Sequence, residues 1–288
     1  MIHFLALAGV LSISFSAIFV RLAGVSPVTA TFFRAAYAVP VLTAVWALTR
    51  TGDRRSHRER AFAVAAGLVL ALELTLWHES IALIGAGLGT LLTHVQVVFV
   101  ALVGWMVYGE RPTDRTVVAI AVVLAGVVMT SGLARHDAYG AAPVAGAMLG
   151  VVSGGLYGAF LMLFRASTRS LTPPAGPLLD ATIGTALGAA AFIAFDPHFS
   201  MVPVWPAHLW LVSLALVTQV VGWLFLATAL PRLPAIETST LLLGQPVLAI
   251  LWGVLIFAEH LSPVQWTGTV VVLCGVAMMM VRARVTAA

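Results

Sequence analysis

A polar stretch interrupts an otherwise apolar segment, and its residue types could bind or move a small charged species. Trp77, His78 and Glu79 form the densest polar cluster in any apolar run, and Glu73 lies one turn before them. Histidine titrates near neutral pH and a carboxylate can carry a proton, so this cluster suggests proton coupling. The alternative is structural, because Glu79 could form an ion pair with Arg34, which we expect at a similar depth.

Further polar side chains fall near the middle of other apolar runs. Four of them have suitable groups for contacting a polar substrate: His94, Gln96, Tyr157 and Gln245. Burying such groups in lipid is costly, so each is a functional candidate. Ser12, Ser16 and Gln219 lie at comparable depth. The alternative for any of these residues is that its hydrogen bonds hold helices together.

Large apolar side chains accompany the polar candidates. Trp77, Phe160, Trp223 and Trp252 are predicted to wall a cavity, with the amides and the phenol as polar contacts. Such a cavity would suit a hydrophobic or aromatic amino acid, through ring contacts and hydrogen bonds to the zwitterion. The alternative is that these aromatic rings face lipid or form interfacial belts.

Several kinds of chemistry are excluded by what the chain lacks. There is no lysine, so a lysine-type ATP-binding loop and a Schiff base are absent. The sequence contains no H-E-x-x-H or G-x-S-x-G motif, and Cys274 is the single cysteine. We therefore predict no metal, no cofactor and no enzyme activity. An intramembrane hydrolase with another serine and histidine arrangement is the alternative from a different class.

The composition indicates the environment of these residues. Of 288 residues, 61% are hydrophobic and only 9% are charged, against about a quarter charged in soluble domains. A helix needs about 20 apolar residues to cross a bilayer. The sequence predicts an all-α integral membrane protein with ten spans, at residues 4–20, 28–49, 61–82, 86–107, 116–133, 143–164, 177–195, 208–230, 235–257 and 264–281.

The arginines predict the orientation. With the N-terminus in the cytoplasm, twelve of the 15 arginines fall in inner loops or the C-terminus, and two fall in outer loops. This bias predicts that both termini are cytoplasmic. Five arginines crowd between residues 50 and 60, where anionic lipid head groups explain a basic loop better than nucleic acid does.

An internal repeat predicts the architecture. Residues 96–129 align with 245–278 with eleven identities in 34 positions, among them Gln96 with Gln245 and Glu110 with Glu259. Each half therefore has five spans, and an odd number inverts the second copy. We predict two inverted five-helix repeats, residues 1–135 and 136–288, as in secondary transporters.

The same region resembles a known family. The stretches GERPTDRTVVAIAVVLAGVVM and AEHLSPVQWTGTVVVLCGVAM resemble the paired repeats of EamA-type transporters in the drug/metabolite transporter superfamily. The resemblance implies a ten-helix carrier of the bacterial inner membrane that exports amino acids or other metabolites by alternating access. One departure is that Gln96 precedes Val97 whereas Gln245 precedes Pro246, which predicts a proline hinge only in the ninth span.

Together these features predict a secondary exporter of small amphipathic metabolites, most of all hydrophobic or aromatic amino acids. The substrate is expected between the two repeats, and membrane lipid is the other expected partner. A multidrug exporter, or an exporter of other metabolites with the same fold, is the alternative within this class.

Overall fold

The computed structural model describes residues 1–109, 112–133, 138–168, 173–233 and 235–280. Within this part of the chain the regular structure is helical, with a π-helical stretch, the π segment Leu214–Gly222, between α9 and α10. The helices are α1 (Ile2–Ser14), α2 (Ser16–Ala23), α3 (Pro27–Thr49), α4 (His57–Thr93), α5 (Gln96–Tyr108), α6 (Asp114–Thr130), α7 (Pro143–Ser167), α8 (Ala175–Phe192), α9 (Ala207–Ser213), α10 (Trp223–Ala229), α11 (Ala235–Phe257) and α12 (Pro263–Met280).

The described helices include 7 that are long and apolar enough to cross a membrane. Shorter apolar helices occur at Gln96–Met106 and Leu241–Phe257. The longest helix, α4, has 37 residues, more than one span requires, and Gly85 interrupts it with φ 89° and ψ 167°. The predicted boundary between the third and fourth spans falls at this kink. We call residues 86–93, the part of α4 after the kink, the half-helix.

The fourth span differs from its prediction as one unbroken helix over 86–107. The half-helix ends at Thr93, and a turn at His94 and Val95 precedes α5. Their backbone N–H groups donate to Leu91 O and Leu92 O at 3.1 Å each. These tighter i to i−3 bonds end the α-helical ladder without a proline. Pro246, where a hinge was predicted, lies inside the continuous helix α11.

The helices form two compact units, each with its own packing. The first unit comprises Met1–His78 and Ala159–Arg232. Within it, α3 packs along α8, and α1 packs against α10 and the π segment. A Cβ atom at Gly67 or Gly184 would clash with the carbonyl group of Ala181 or Val64 respectively, so the backbones of α4 and α8 touch where they cross.

The second unit comprises Glu79–Gly158 and Leu233–Ala288. Its main helix pair is α6 with α12. The half-helix lies in its hydrophobic core, because Leu88, Leu91 and Leu92 have no exposed surface. This burial fixes the half-helix from the sides.

Each compact unit combines helices from both halves of the sequence. The predicted repeats 1–135 and 136–288 are therefore a different division from the compact units. The boundary between residues 135 and 136 lies outside the described residues, and so does Glu110.

Candidate functional site

Two predicted polar contacts lie at the interruption of the fourth span in the second unit. His94 is buried, and its ring Nδ1 lies 2.9 Å from Thr90 O. Because a carbonyl oxygen only accepts, Nδ1 carries the hydrogen of this bond. Gln96 follows two residues later as the first residue of α5. Its Oε1 is buried and has no hydrogen-bond donor among the described residues. A buried amide oxygen without a donor is costly unless a ligand or water supplies one.

Helix α7 approaches this interruption closely because it carries glycine there. A Cβ atom at Gly154 would lie 2.9 Å from Thr93 O and 3.3 Å from Gln96 N. Tyr157, another predicted contact, is half-buried in the same helix, one residue before Gly158. A Cβ atom at Gly158 would lie 3.5 Å from Gln96 O. The structure therefore places the helix of Tyr157 directly beside the turn at His94.

Two further predicted contacts belong to α11. Gln245 and Trp252 are both half-buried in this helix of the second unit. Pro246 follows Gln245 and has no N–H to donate to Leu242 O. The repeat-equivalent glutamines thus each lie at a helix irregularity, one after a break and one before a proline.

The predicted aromatic wall is partly assembled in the first unit. Phe160 of α7 and Trp223 of α10 make an edge contact, with ring centroids 5.8 Å apart and planes at 88°. Phe164 stacks on Phe160 with a centroid distance of 5.5 Å. Phe160 is 1% exposed, so its ring also serves packing.

Trp77 and His78 are buried side by side at the end of the first unit's part of α4. The Nδ1 of His78 lies 3.1 Å from Thr31 Oγ1 and 3.3 Å from Pro27 O. Since Thr31 Oγ1 donates its hydrogen to Pro27 O, Nδ1 of His78 is the donor toward both oxygens. The indole Nε1 of Trp77 and the Nε2 of His78 have no partner among the described residues.

Arg34 is buried and binds polar groups of the first unit. Its Nε donates to Gln219 Oε1 at 2.9 Å and its Nη1 donates to Ser16 Oγ at 2.9 Å. The amide of Gln219 in turn donates to Thr182 Oγ1 at 3.1 Å. The hydrogen bonds of Ser16 and Gln219 therefore fit the alternative in which these side chains hold helices together. Thr182 was missed by sequence reasoning, because a threonine in an apolar helix gives no distinctive signal.

The remaining coupling candidates have different environments. Glu73 is buried, 3% exposed, in the first unit. Glu79 is exposed and belongs to the second unit. The ion pair between Arg34 and Glu79 stays a prediction, as does proton coupling.

One of the five clustered arginines is buried within the protein. The side chain of Arg55 is fully buried and pairs with Asp53 at 2.9 Å and with Asp180 of α8 at 3.0 Å. The hydrogen bonds from Arg55 hold the pKa of Asp53 well below its usual range. Trp46 Nε1 also donates to this carboxylate at 3.1 Å. This loop joins α3 and α4 and ties them to the start of α8.

Sequence reasoning also missed the position of Glu259 in the second unit. Its carboxylate accepts hydrogen bonds from Ala86 N at 2.7 Å and Gly87 N at 3.2 Å, at the start of the half-helix. The signal was available, since Glu259 is an identity of the internal repeat and Gly85-Ala86-Gly87 is a glycine-rich turn.

The described residues contain no group of three or more histidine, cysteine, aspartate or glutamate side chains that could hold a metal ion. The polar groups near the turn at His94 are the imidazole of His94, the amide of Gln96, hydroxyl groups and backbone N–H groups. Such groups bind a small polar molecule through hydrogen bonds.

The sequence and the fold of this chain are similar to those of known proteins. An uncharacterised protein of Pseudomonas aeruginosa is 30% identical over 195 residues, which are 68% of this chain and 65% of that protein, just under two thirds of its length. The uncharacterised transporter YwfM of Bacillus subtilis is 23% identical over 214 residues, 73% of this chain and 70% of that protein. A crystal structure with 19% identity shares the fold with a TM-score of 0.64, over 98% of this chain and 96% of that one.

The family profile described as the EamA-like transporter family matches residues 1–132 and 144–281. The match covers both halves of the chain and agrees with the helical spans. It confirms the sequence prediction of an all-α membrane fold built of two repeats. This chain is therefore a membrane transporter that belongs to the EamA-like transporter family.

Proposed function

We propose that this transporter exports small amphipathic metabolites, chiefly hydrophobic or aromatic amino acids. The observation that supports this best is the interruption at His94 and Val95, followed by the donor-free Oε1 of Gln96. A helix that begins inside a span presents backbone N–H groups to an anionic group of a ligand. The amide oxygen of Gln96 can accept from an ammonium group. A zwitterionic amino acid carries both groups.

The second unit also offers apolar surface for a side chain. Tyr157 and Trp252 are half-buried there, and neither ring is fully enclosed by protein. An aromatic ring of the substrate would gain from contact with such rings. We propose His94, Gln96, Tyr157 and Gln245 as polar contacts and Trp252 as an apolar contact. Trp77, Phe160 and Trp223 of the first unit stay predicted apolar contacts.

Alternating access needs elements that can change shape at low cost. Interrupted helices do this because their backbone ladder is already broken. The turn at His94 is such a place, and Pro246 removes one backbone hydrogen bond inside the continuous helix α11. We propose that export proceeds by movement around these interruptions, across the bacterial inner membrane and without an ATP site in this chain.

Counterflow of labelled amino acids into proteoliposomes tests the proposal. The purified protein should exchange labelled phenylalanine or leucine saturably, and Gln96→Leu should raise the KM at least about tenfold, because a hydrogen bond to a charged group contributes about 1.5–3 kcal/mol. Trp105→Phe is the matched control, since Trp105 is exposed on the same helix. An unchanged KM in Gln96→Leu would remove this residue from the site.

The same assay separates the other functions. Saturable flux of cationic drugs or other metabolites, with no flux of amino acids, would favour the exporter of different substrates. Chemical alteration of the substrate would favour an intramembrane enzyme. A pH series of flux through wild type and Glu79→Gln would test proton coupling by the cluster at His78.

A further inference from the structure

The side chain of Glu259 binds backbone N–H groups at the start of the half-helix. The residue lies in the loop after α11 and is 2% exposed. One carboxylate oxygen accepts from Ala86 N at 2.7 Å and the other accepts from Gly87 N at 3.2 Å. These N–H groups belong to the first turn of the half-helix, where the backbone has no helical acceptor for them. The negative charge also meets the positive end of the helix dipole.

Three glycines surround this carboxylate, and a side chain at any of them would come too close to it. A Cβ atom at Gly85 would lie 2.6 Å from Oε1, and one at Gly87 would lie 3.2 Å from Oε2. A Cβ atom at Gly253 would clash with the carboxylate from the side of α11. Gly85 adopts φ 89°, which other residues avoid, and this turn frees the two N–H groups. Gly253 O also accepts from the backbone N–H of Glu259 at 3.3 Å.

The other end of the half-helix leads into the proposed substrate contacts. Eight residues of α-helix span about 12 Å, so the carboxylate lies about that distance along the axis from His94. His94 binds back to the half-helix through Thr90 O, and Gln96 follows it. The buried leucines of the half-helix hold it from the sides. A shift of its first turn therefore displaces the turn that carries His94 and Gln96, because a hydrogen-bonded helix moves as a unit.

We propose that Glu259 is a positioning residue, which clamps the start of the half-helix and so sets the geometry of the substrate contacts at its far end. This inference rests on the proposed function for the role of His94 and Gln96, while the clamp itself does not. Glu259 contacts no substrate in this proposal and acts through the half-helix.

Hydrogen exchange measures the clamp directly and without a substrate. In Glu259→Gln, peptides that cover residues 84–96 should exchange faster at short labelling times, whereas peptides from α12 should exchange as in wild type. The amide keeps one acceptor oxygen and loses the charge, so one N–H contact weakens. Glu259→Asp keeps the charge with a side chain one methylene shorter and should give the same localised change. It also serves if Glu259→Gln does not fold. His260→Gln, an exposed neighbour, is the matched control.

Transport kinetics then test the effect at a distance. The KM of counterflow for Glu259→Gln should rise about fivefold or more, while the maximal rate per folded protein changes less than about twofold, since losing contacts that are equally strong in the ground and transition states raises KM alone. Unchanged exchange of the half-helix overturns the clamp, and so does a uniform rise across the second unit. Faster hydrogen exchange confined to residues 84–96, with an unchanged KM, would show that the clamp does not set the geometry of the substrate contacts. If wild type moves no amino acid, the proposed function fails, and the exchange result still decides the clamp.

Discussion

Two glutamines of the second unit differ in how their amide groups are hydrogen-bonded. Gln265 uses its whole amide: Oε1 accepts from Tyr139 N at 2.8 Å and Ser262 N at 3.0 Å, and Nε2 donates to Tyr139 O at 3.2 Å and Thr130 O at 3.3 Å. Gln96 instead has a buried Oε1 without a donor among the described residues. The fully bonded amide of Gln265 stabilises its loop, whereas under the proposed function the Oε1 of Gln96 accepts its hydrogen bond from the substrate.

The loop between α3 and α4 contains a buried arginine whose charge is compensated by neighbouring carboxylates. Asp53 accepts from Trp46 Nε1 and from Arg55, and Arg55 also pairs with Asp180. Arg60 adds a contact of 3.4 Å to Asp53. Because the guanidinium of Arg55 is fully buried, it depends on these carboxylates for compensation.

At the residue scale, Asp53→Asn should lower the free energy of unfolding at neutral pH by about 1.5–3 kcal/mol, because charged hydrogen bonds are lost. Asp53 has a lowered pKa in the folded protein. Its stabilisation is therefore fully present well above the pKa of the unfolded chain, about 3.9, starts to decrease as the pH falls to that value, and is gone only below the folded pKa. Thermal unfolding in detergent between pH 3 and pH 8 measures both effects. Asp114→Asn, at an exposed carboxylate, is the control. A pH-independent gap between wild type and Asp53→Asn would contradict the expectation.

Helix interruptions are the elements that distinguish this fold from a bundle of straight helices. Gly85 separates the half-helix from the rest of α4, and the turn at His94 separates it from α5. In the first unit, the π segment carries Gln219 toward Arg34. π-helical turns occur often at functional positions. In the first unit, Gln219 of the π segment therefore binds Arg34 of another helix. In the second unit, the N–H of Ala86 after the Gly85 kink binds Glu259.

At the element scale, Gly154→Val should impair both folding and transport. The added Cβ would lie 2.9 Å from Thr93 O, a backbone atom that cannot move aside freely, so α7 must shift from the turn at His94. Overpacking of this kind costs about 1–3 kcal/mol. Thermal stability and counterflow of the purified variant measure the two losses. Val152→Leu, which adds a methylene at an exposed position of the same helix, should leave both near wild type. A fully active Gly154→Val would show that α7 does not pack tightly at the interruption.

The chain can be divided in two ways, into halves along the sequence or into compact packing units. The family profile matches 1–132 and 144–281 along the sequence, whereas the compact units each combine helices from both halves. Neither unit therefore corresponds to one half of the sequence. Separate expression of one half would leave its helices without the packing partners that the other half contributes to each unit.

At the scale of the molecule, the orientation can be tested with single cysteines. In a Cys274→Ser background, Thr113→Cys should react with a membrane-impermeant maleimide only after the cells are opened, whereas His260→Cys should react in intact cells with a permeable outer membrane. The arginine bias and the odd number of spans per half both require this. Reaction of both cysteines from the same side would contradict the inverted arrangement.

The sequence predicted most spans to within a few residues, because hydropathy and length decide where a helix can cross lipid. It placed α11 at residues 235–257, as the structure has it. It did not predict the interruption at His94, since neither proline nor glycine marks it. In the structure α7 packs against that turn at Gly154.

The sequence alone determined the membrane environment, the helical class, the internal repeat and the family, since each is a property of composition or of spacing along one dimension. Only the tertiary structure decided the polar partners. Arg34 meets Gln219 across 185 residues, and Glu259 meets Ala86 across 173. The physical reason is that a buried polar group binds whichever partner the packing brings within about 3 Å, and this packing depends on all helices of a unit at once.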